Sequence, residues 1–180
     1  MKKRVIVISL GGSLIIPDDV DLKFLLKFKK AISRHAKSHK FVIVCGGGSV
    51  ARKYINGLRT AGKNQIFQSM AGISTTRMNA RFMTYFFGRD ANQGMPHDMK
   101  DIENLLRIHD IIFCGALRYA KNETSDSVAA KISRHFNTNF INLTDIAGLY
   151  DKNPKRYKNA KFIPEISHKE FYKIAKKLKF

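Results

Sequence analysis

Two short glycine runs are the residues of this chain best suited to hold an anion. Gly11, Gly12 and Ser13 directly follow one apolar run; Gly46, Gly47, Gly48 and Ser49 directly follow another and lead into Arg52. Residues without a Cβ let a phosphate oxygen approach the backbone N–H groups, and where such a run opens a helix its N-terminus adds partial positive charge. Arg52, about one turn into that helix, carries the planar fork that grips a phosphate through two parallel bonds. One such run alone also suits a tight turn, whereas two at successive strand ends point to a shared phosphate site. Neither is a GxxxxGK[ST] or GxGxxG sequence, so the P-loop and dinucleotide readings lose support.

Two further segments concentrate polar groups. Glu123, Thr124, Ser125, Asp126 and Ser127 precede the apolar Val128, Ala129 and Ala130, an arrangement that caps a helix. The same hydroxyls suit contacts to a base or a phosphate, and Asp126 suits orienting a lysine or a magnesium-bound water. Thr144 and Asp145 lead through Gly148 and Tyr150 to Asn153 and Pro154, which by themselves read as a strand exit followed by a turn.

These groups need elements to position them. Short β-branched runs at 5–10, 41–45, 111–114 and 140–143 read as buried strands. Between them apolar residues fall at helical spacing: Leu22, Leu25, Phe28 and Ile32; Val50, Tyr54 and Leu58; Ile102, Leu105 and Leu106; Val128, Ile132 and Phe136. Met70, Ile73, Phe82 and Phe86 predict a longer, mostly buried helix, and Phe171, Ala175 and Leu178 a last one beginning near His168. Residues 88–96 and 116–124 read as exposed loops. Strand alternating with helix predicts an α/β domain over 1–180, a mainly parallel sheet with helices on both faces and its ligands at the carboxyl ends of the strands.

The chain has 180 residues, 44% of them hydrophobic and 13 of them Phe, enough for a sizeable core. Cys45 and Cys114 each end an apolar run, where buried reduced thiols sit, so no disulfide framework is expected. The basic residues before the first apolar run imitate a secretory signal, but Gly11 and Gly12 interrupt it and no small-residue cleavage site follows. No run approaches the roughly 18 apolar residues that span a bilayer, so a soluble, cytoplasmic protein without a membrane partner is expected. The net charge is +19, and between Leu22 and Arg89 fourteen Lys and Arg accumulate without one Asp or Glu. Such a stretch attracts nucleotides, RNA or anionic surfaces alike. With no RNP-like or zinc-knuckle motif beside it, it reads as solvated surface, and specific nucleic-acid binding is not expected.

In order along the chain, the motifs GGS, GGG-S-x-A-R-K-Y, G-I-x-x-T-R-x-N-A, T-S-D-S-V-A-A and T-D-I-A-G-L-Y-x-x-N-P resemble the amino acid kinase family, and within it the archaeal UMP kinase branch. The resemblance runs from Val5 to Ser167. It implies a carbamate kinase-like α/β/α sandwich that transfers the γ-phosphoryl group of ATP to UMP, giving UDP, with Mg²⁺ and without a covalent enzyme intermediate. By the family pattern Gly12, Ser13, Gly48 and Arg52 face the ATP phosphates, and Thr144, Tyr150 and Asn153 complete the ATP side. Gly47, Ser69, Thr124 and Ser125 belong to the UMP pocket; Arg52 and Asp126 carry catalysis; no residue is assigned to a resident metal. A homo-oligomer is implied, the family being commonly hexameric. Departures are specific. Ser9 stands where many members carry a lysine, Ser69 where this branch has an aspartate, and Ala147 and Asn153 where two aspartates are usual. Arg118 and Lys121 alter the character of the loop at 116–124, and the sequence stops where members continue through another helix and strand, as in a C-terminally truncated member. Two alternatives accompany this reading: a catalytically weak nucleotide-binding member, and a kinase of a related small phosphate such as isopentenyl phosphate. Cys45, where that last branch places a histidine, weighs against the second.

Overall fold

The computed structural model describes residues 3–120 and 123–177, so the expectations for Lys121, Leu178 and the Ala175 side chain lie outside the described residues. The chain divides between Asp145 and Ile146 into two compact units.

The first unit is built on four strands, β1 (Arg4–Leu10), β2 (His39–Cys45), β3 (Ile111–Cys114) and β4 (Phe140–Leu143), close to the runs read from the sequence. All pair in parallel, in the order β3-β2-β1-β4. Around them lie α1 (Gly12–Ile15), α2 (Leu22–His35), α3 (Gly48–Thr60), α4 (Gln65–Phe87), α5 (Met99–Ile108) and α6 (Ser125–His135). Successive residues of a strand point to opposite faces of the sheet, and the core divides accordingly. Ile8, Leu10, Ile43 and Phe113 join Leu25 and Phe28 of α2 and Met83 and Phe87 of α4 in one cluster. Val7, Val42, Val44 and Ile112 join Ile102 of α5 and Ile132 of α6 in the other. Apolar groups on both faces of every central strand are what an α/β/α sandwich requires, and this is the architecture observed.

Several helix faces differ from the periodicity. In α2 the buried set is Leu25, Phe28 and Ile32, while Leu22 in the first turn is largely exposed. In α3 Leu58 is half-buried in line with the spacing, but Tyr54 is 60% exposed, and Ala51 and Ile55 turn inward in its place. The glycine at 72 permits this, because α3 packs closely on α4: a Cβ on Gly72 would lie 3.4 Å from Ile55 Cδ1. In α4 Met70 is exposed, and the buried face carries polar Thr75, Thr76 and Asn79 ahead of Ala80 and Met83. The segment 88–96 is not simply an exposed loop. Ala91 and Asn92 are fully buried, and Asn92 Nδ2 donates to the Phe113 carbonyl at 3.1 Å while its Oδ1 accepts from Phe113 N–H at 2.7 Å. Asn92 thereby satisfies backbone groups along the outer edge of β3, which an open strand would leave unpaired.

The second unit holds an antiparallel pair, β5 (Leu149–Tyr150) with β6 (Phe162–Ile163), and α7 (His168–Lys177). Among the described residues, no helix is long and apolar enough to cross a membrane.

Candidate functional site

The strand register decides where the glycine runs meet. Leu10 stands opposite both Cys45 and Leu143, and Val44 opposite Cys114, so the strands end at one edge of the sheet. The chain order reverses between β1 and β4, the switch point at which open α/β sheets leave a crevice. Gly11 N–H donates to the Leu143 carbonyl at 2.9 Å and Gly46 N–H to the Leu10 carbonyl at 2.8 Å, which ties both glycine turns to the sheet. The turns then touch: a Cβ on Gly12 would lie 2.3 Å from Gly48 N, and Gly48 itself adopts φ +62°.

Helix capping separates these turns from the rest of the unit. Asp21, Asn64, Asp98 and Thr124 cap α2, α4, α5 and α6, each accepting a first-turn N–H through its side chain. At the starts of α1 and α3 stand Gly11 and Gly47, with no side-chain cap. The leading N–H groups of a helix have no intrahelical acceptor, so these two turns present donors that an anion can take.

Two cavities open here. A cleft of about 200 Å³ is lined by both glycine turns, Asp126, Asn142 and Thr144. A groove of about 430 Å³ runs between α3, α4 and the segment after β3, with Ser69, Ile73, Thr76 and Thr124 among its walls. They share Gly47, Gly48, Arg52 and Ser125. The residues singled out in the sequence therefore fall into two neighbouring groups: Gly12, Ser13, Asp126 and Thr144 line the cleft, and Ser69 and Thr124 line the groove. Thr124 also does a structural job, its Oγ1 accepting from Ser127 N–H at 3.2 Å while Ser127 Oγ accepts from Thr124 N–H at 2.8 Å in a capping box. Tyr150 and Asn153 belong to the second unit. There Tyr150 meets the Phe162 ring edge-on at 5.4 Å, and Asn153 Oδ1 accepts from Lys155 N–H at 2.9 Å in the expected turn.

Ser9 follows from strand alternation. It shares the Val7 face of β1, which α6 covers, and its buried hydroxyl donates to Asp126 Oδ1 at 2.6 Å. A charge-assisted bond of this kind holds the carboxylate at the mouth of the cleft. Beneath the cleft Cys45 and Cys114 are buried and free; burial pushes the Cys114 thiol up to about 12 and, with Cys114 nearby, the Cys45 thiol well above its ordinary value. Both are inert as nucleophiles near neutrality.

The motif G-I-x-x-T-R-x-N-A spans the polar face of α4, but sequence reading assigned Thr76, Arg77 and Asn79 no individual roles. Thr76 Oγ1 accepts from Ala116 N–H at 2.9 Å, and Arg77 donates to the carbonyls of Ala116, at 3.0 Å, and Leu117. These two side chains fix the exit of β3 as a wall of the groove. Arg59, Gln65 and Gln68 line the groove as well. The available signal was Thr75, Thr76 and Asn79 at one-and-four spacing in an apolar helix, since buried polar groups demand partners.

Set beside known proteins, residues 4–179 match the model of the amino acid kinase family. The chain is 35% identical over 166 residues to uridylate kinase of Thermoplasma volcanium, covering 92% of this chain and 71% of that protein. It is 30% identical over 171 residues to uridylate kinase of Thermococcus onnurineus, covering 94% and 75%. Its structure is similar to the crystal structure of uridylate kinase from Archaeoglobus fulgidus with a TM-score of 0.81 and 28% identity, covering 95% of this chain and 78% of that one. Sequence, fold and the crevice at the strand ends agree, and the chain belongs to the amino acid kinase family of phosphotransferases.

Proposed function

We propose that this protein is a nucleoside monophosphate kinase that transfers the γ-phosphoryl group of ATP to UMP. The observation that carries this reading is the pair of cavities with a common wall at Gly47, Gly48, Arg52 and Ser125. A phosphoryl transfer needs two anionic substrates end to end, their reacting phosphates side by side at one set of donors. The cleft takes the ATP phosphates on Gly12, Ser13, Gly48 and Arg52, with Thr144 beside them. The groove takes UMP, its phosphate toward Gly47 and Ser125 and its nucleoside toward Ser69 and Thr124. An oxygen of the UMP phosphate attacks the γ-phosphorus, the bond to the β-bridging oxygen breaks, and ADP and UDP result. Backbone N–H groups and the Arg52 guanidinium stabilise charge on the transferred group. No enzyme nucleophile enters, in keeping with the inert thiols.

Among the described residues no three His, Cys, Asp or Glu side chains converge. Mg²⁺ would arrive with ATP, because this ion is commonly held by phosphate oxygens, waters and one or two carboxylates. Asp126 is the carboxylate of the cleft and would hold it through water, and the ion would screen phosphate charge. Ser9, donating to Asp126, keeps that carboxylate in place.

A second reading, a member that binds nucleotides with little turnover, is favoured by Ser9, a buried neutral hydroxyl bonded to Asp126 at a position where many family members carry a lysine. A coupled assay with ATP and Mg²⁺, offering UMP, CMP, AMP and isopentenyl phosphate in turn, tests both. UDP formation with UMP as the best acceptor is expected; turnover of isopentenyl phosphate alone would refute the assignment, and UMP binding without any product would establish the second reading.

A further inference from the structure

The peptide between Gly46 and Gly47 stands where β2 gives way to the cleft. A glycine on each side leaves its rotation without a local steric barrier, so the dipeptide alone does not decide which way its carbonyl and N–H face. Something outside it must. Asn79, about four turns into α4 and only 8% exposed, sends Nδ2 to the Gly46 carbonyl at 2.7 Å, across 33 residues of sequence. The same carbonyl fills space beside Gly12, where a Cβ would lie 2.6 Å from it. Among the described residues no peptide bond is cis, and in a trans peptide the carbonyl and N–H point in opposite directions. With the Gly46 oxygen held inward by Asn79, the Gly47 N–H faces away from that side chain.

We infer that Asn79 is a positioning residue: its carboxamide locks the Gly46–Gly47 peptide so that the Gly47 N–H serves the phosphate at the wall common to cleft and groove. Asn79 lines neither the cleft nor the groove; it acts through a peptide that two glycines leave free to turn. The inference rests on the phosphate-site reading above. It also accounts for a buried amide on a helix face that otherwise packs Ala80 and Met83 into the core.

Asn79→Leu removes the donor at similar size; Asn79→Ser, smaller and still polar, serves if the leucine variant does not fold. Thr84→Val is the control, a buried α4 hydroxyl that bonds only its own helix, at the Arg81 carbonyl. The first readout is NMR of the ligand-free protein. In either Asn79 variant the Gly46 carbonyl carbon shifts and the Gly47 amide broadens or doubles, while signals of the rest of α4 stay in place; Thr84→Val leaves both glycines unchanged. The second is calorimetry with UMP, in which the Asn79 variants lose on the order of tenfold in affinity, as one charge-assisted bond implies. Unaltered Gly46 and Gly47 signals, unaltered affinity, or the same changes in Thr84→Val would overturn the inference. Absence of UMP binding by the unmodified protein would instead sink the substrate reading, and the ligand-free glycine signals would still decide whether Asn79 holds the peptide.

Discussion

Among the described residues Arg52 is the one cationic side chain common to the cleft and the groove, and its helix position was legible because a glycine run opens α3 just ahead of it. Arg52→Ala should weaken nucleotide binding, that of ATP above all, by on the order of 1.5 to 3 kcal/mol, the worth of a hydrogen bond to a charged group. Arg52 is exposed, so the melting temperature should hardly move; calorimetry beside a thermal melt separates the two, and unchanged affinity would mark it as a surface arginine. Ser9 leads to a second expectation. Binding of UMP draws on the groove and the Gly47 turn, whereas turnover also needs charge neutralised on the moving phosphoryl group. Each lost stabilising group of that kind costs about 10² to 10³ in rate. With a hydroxyl at position 9 committed to Asp126, the chain should bind UMP at ordinary affinity yet turn over below about 1 per second; a rate in the usual range of about 1 to 10³ per second would contradict this. The identity of Ser9 was visible in the sequence, but its bond to Asp126 spans 117 residues and depends on which face of β1 it occupies.

At the scale of elements, the contact between the two turns sets the shape of the site. Gly48 combines φ +62° with a Cβ position 2.6 Å from the Gly12 carbonyl carbon. Gly48→Ala therefore meets the left-handed penalty of roughly 1 to 2 kcal/mol and a backbone collision besides. Denaturant titration should show at least that loss of stability, with nucleotide affinity falling in parallel; a silent Gly48→Ala would mean that the turns are not packed this way. The start of α5 offers a pH test. The N–H of Asp101, and after it the Arg118 guanidinium, holds the Asp98 carboxyl below the usual carboxylate range. A group whose folded pKa is depressed stabilises the fold at pH above its unfolded value, near 4, and that contribution disappears as pH falls through the folded value. Carbon NMR of the Asp98 carboxyl should report a midpoint below that of an unfolded aspartate. Arg118→Ala should raise it only partway, since the Asp101 N–H remains; an ordinary midpoint in the native protein would contradict the cap. Apolar spacing located these helices but misassigned Tyr54 and Met70, because periodicity gives an axis of burial only when the neighbour covering it is known.

For the whole molecule, the charge of +19 is the property most open to misreading. Basic residues such as Lys23, Lys27, Lys30 and Arg34 lie along the exposed side of α2, the face of a solvated helix. RNA affinity should therefore be weak, without sequence preference, and steeply reduced between about 50 and 200 mM salt, as release of counterions dictates. Anisotropy with two unrelated oligonucleotides would measure this, and tight binding of only one that survived high salt would displace the kinase reading. The alternation of strands with amphipathic helices was determined by the sequence alone, because burial on both faces of β1, β2 and β3 demands continuous apolar residues; β4, read as buried too, instead leaves Phe140 38% and Ile141 49% exposed. The placing of glycines at two strand ends was likewise determined by the sequence, since the missing Cβ is a property of the residue itself. Only the tertiary structure decided that the two turns touch, that Ser9 reaches Asp126 and that the polar face of α4 grips Gly46 and Ala116. Those contacts join residues 33 to 117 positions apart, and their partners depend on strand register and helix rotation, which local periodicity does not encode.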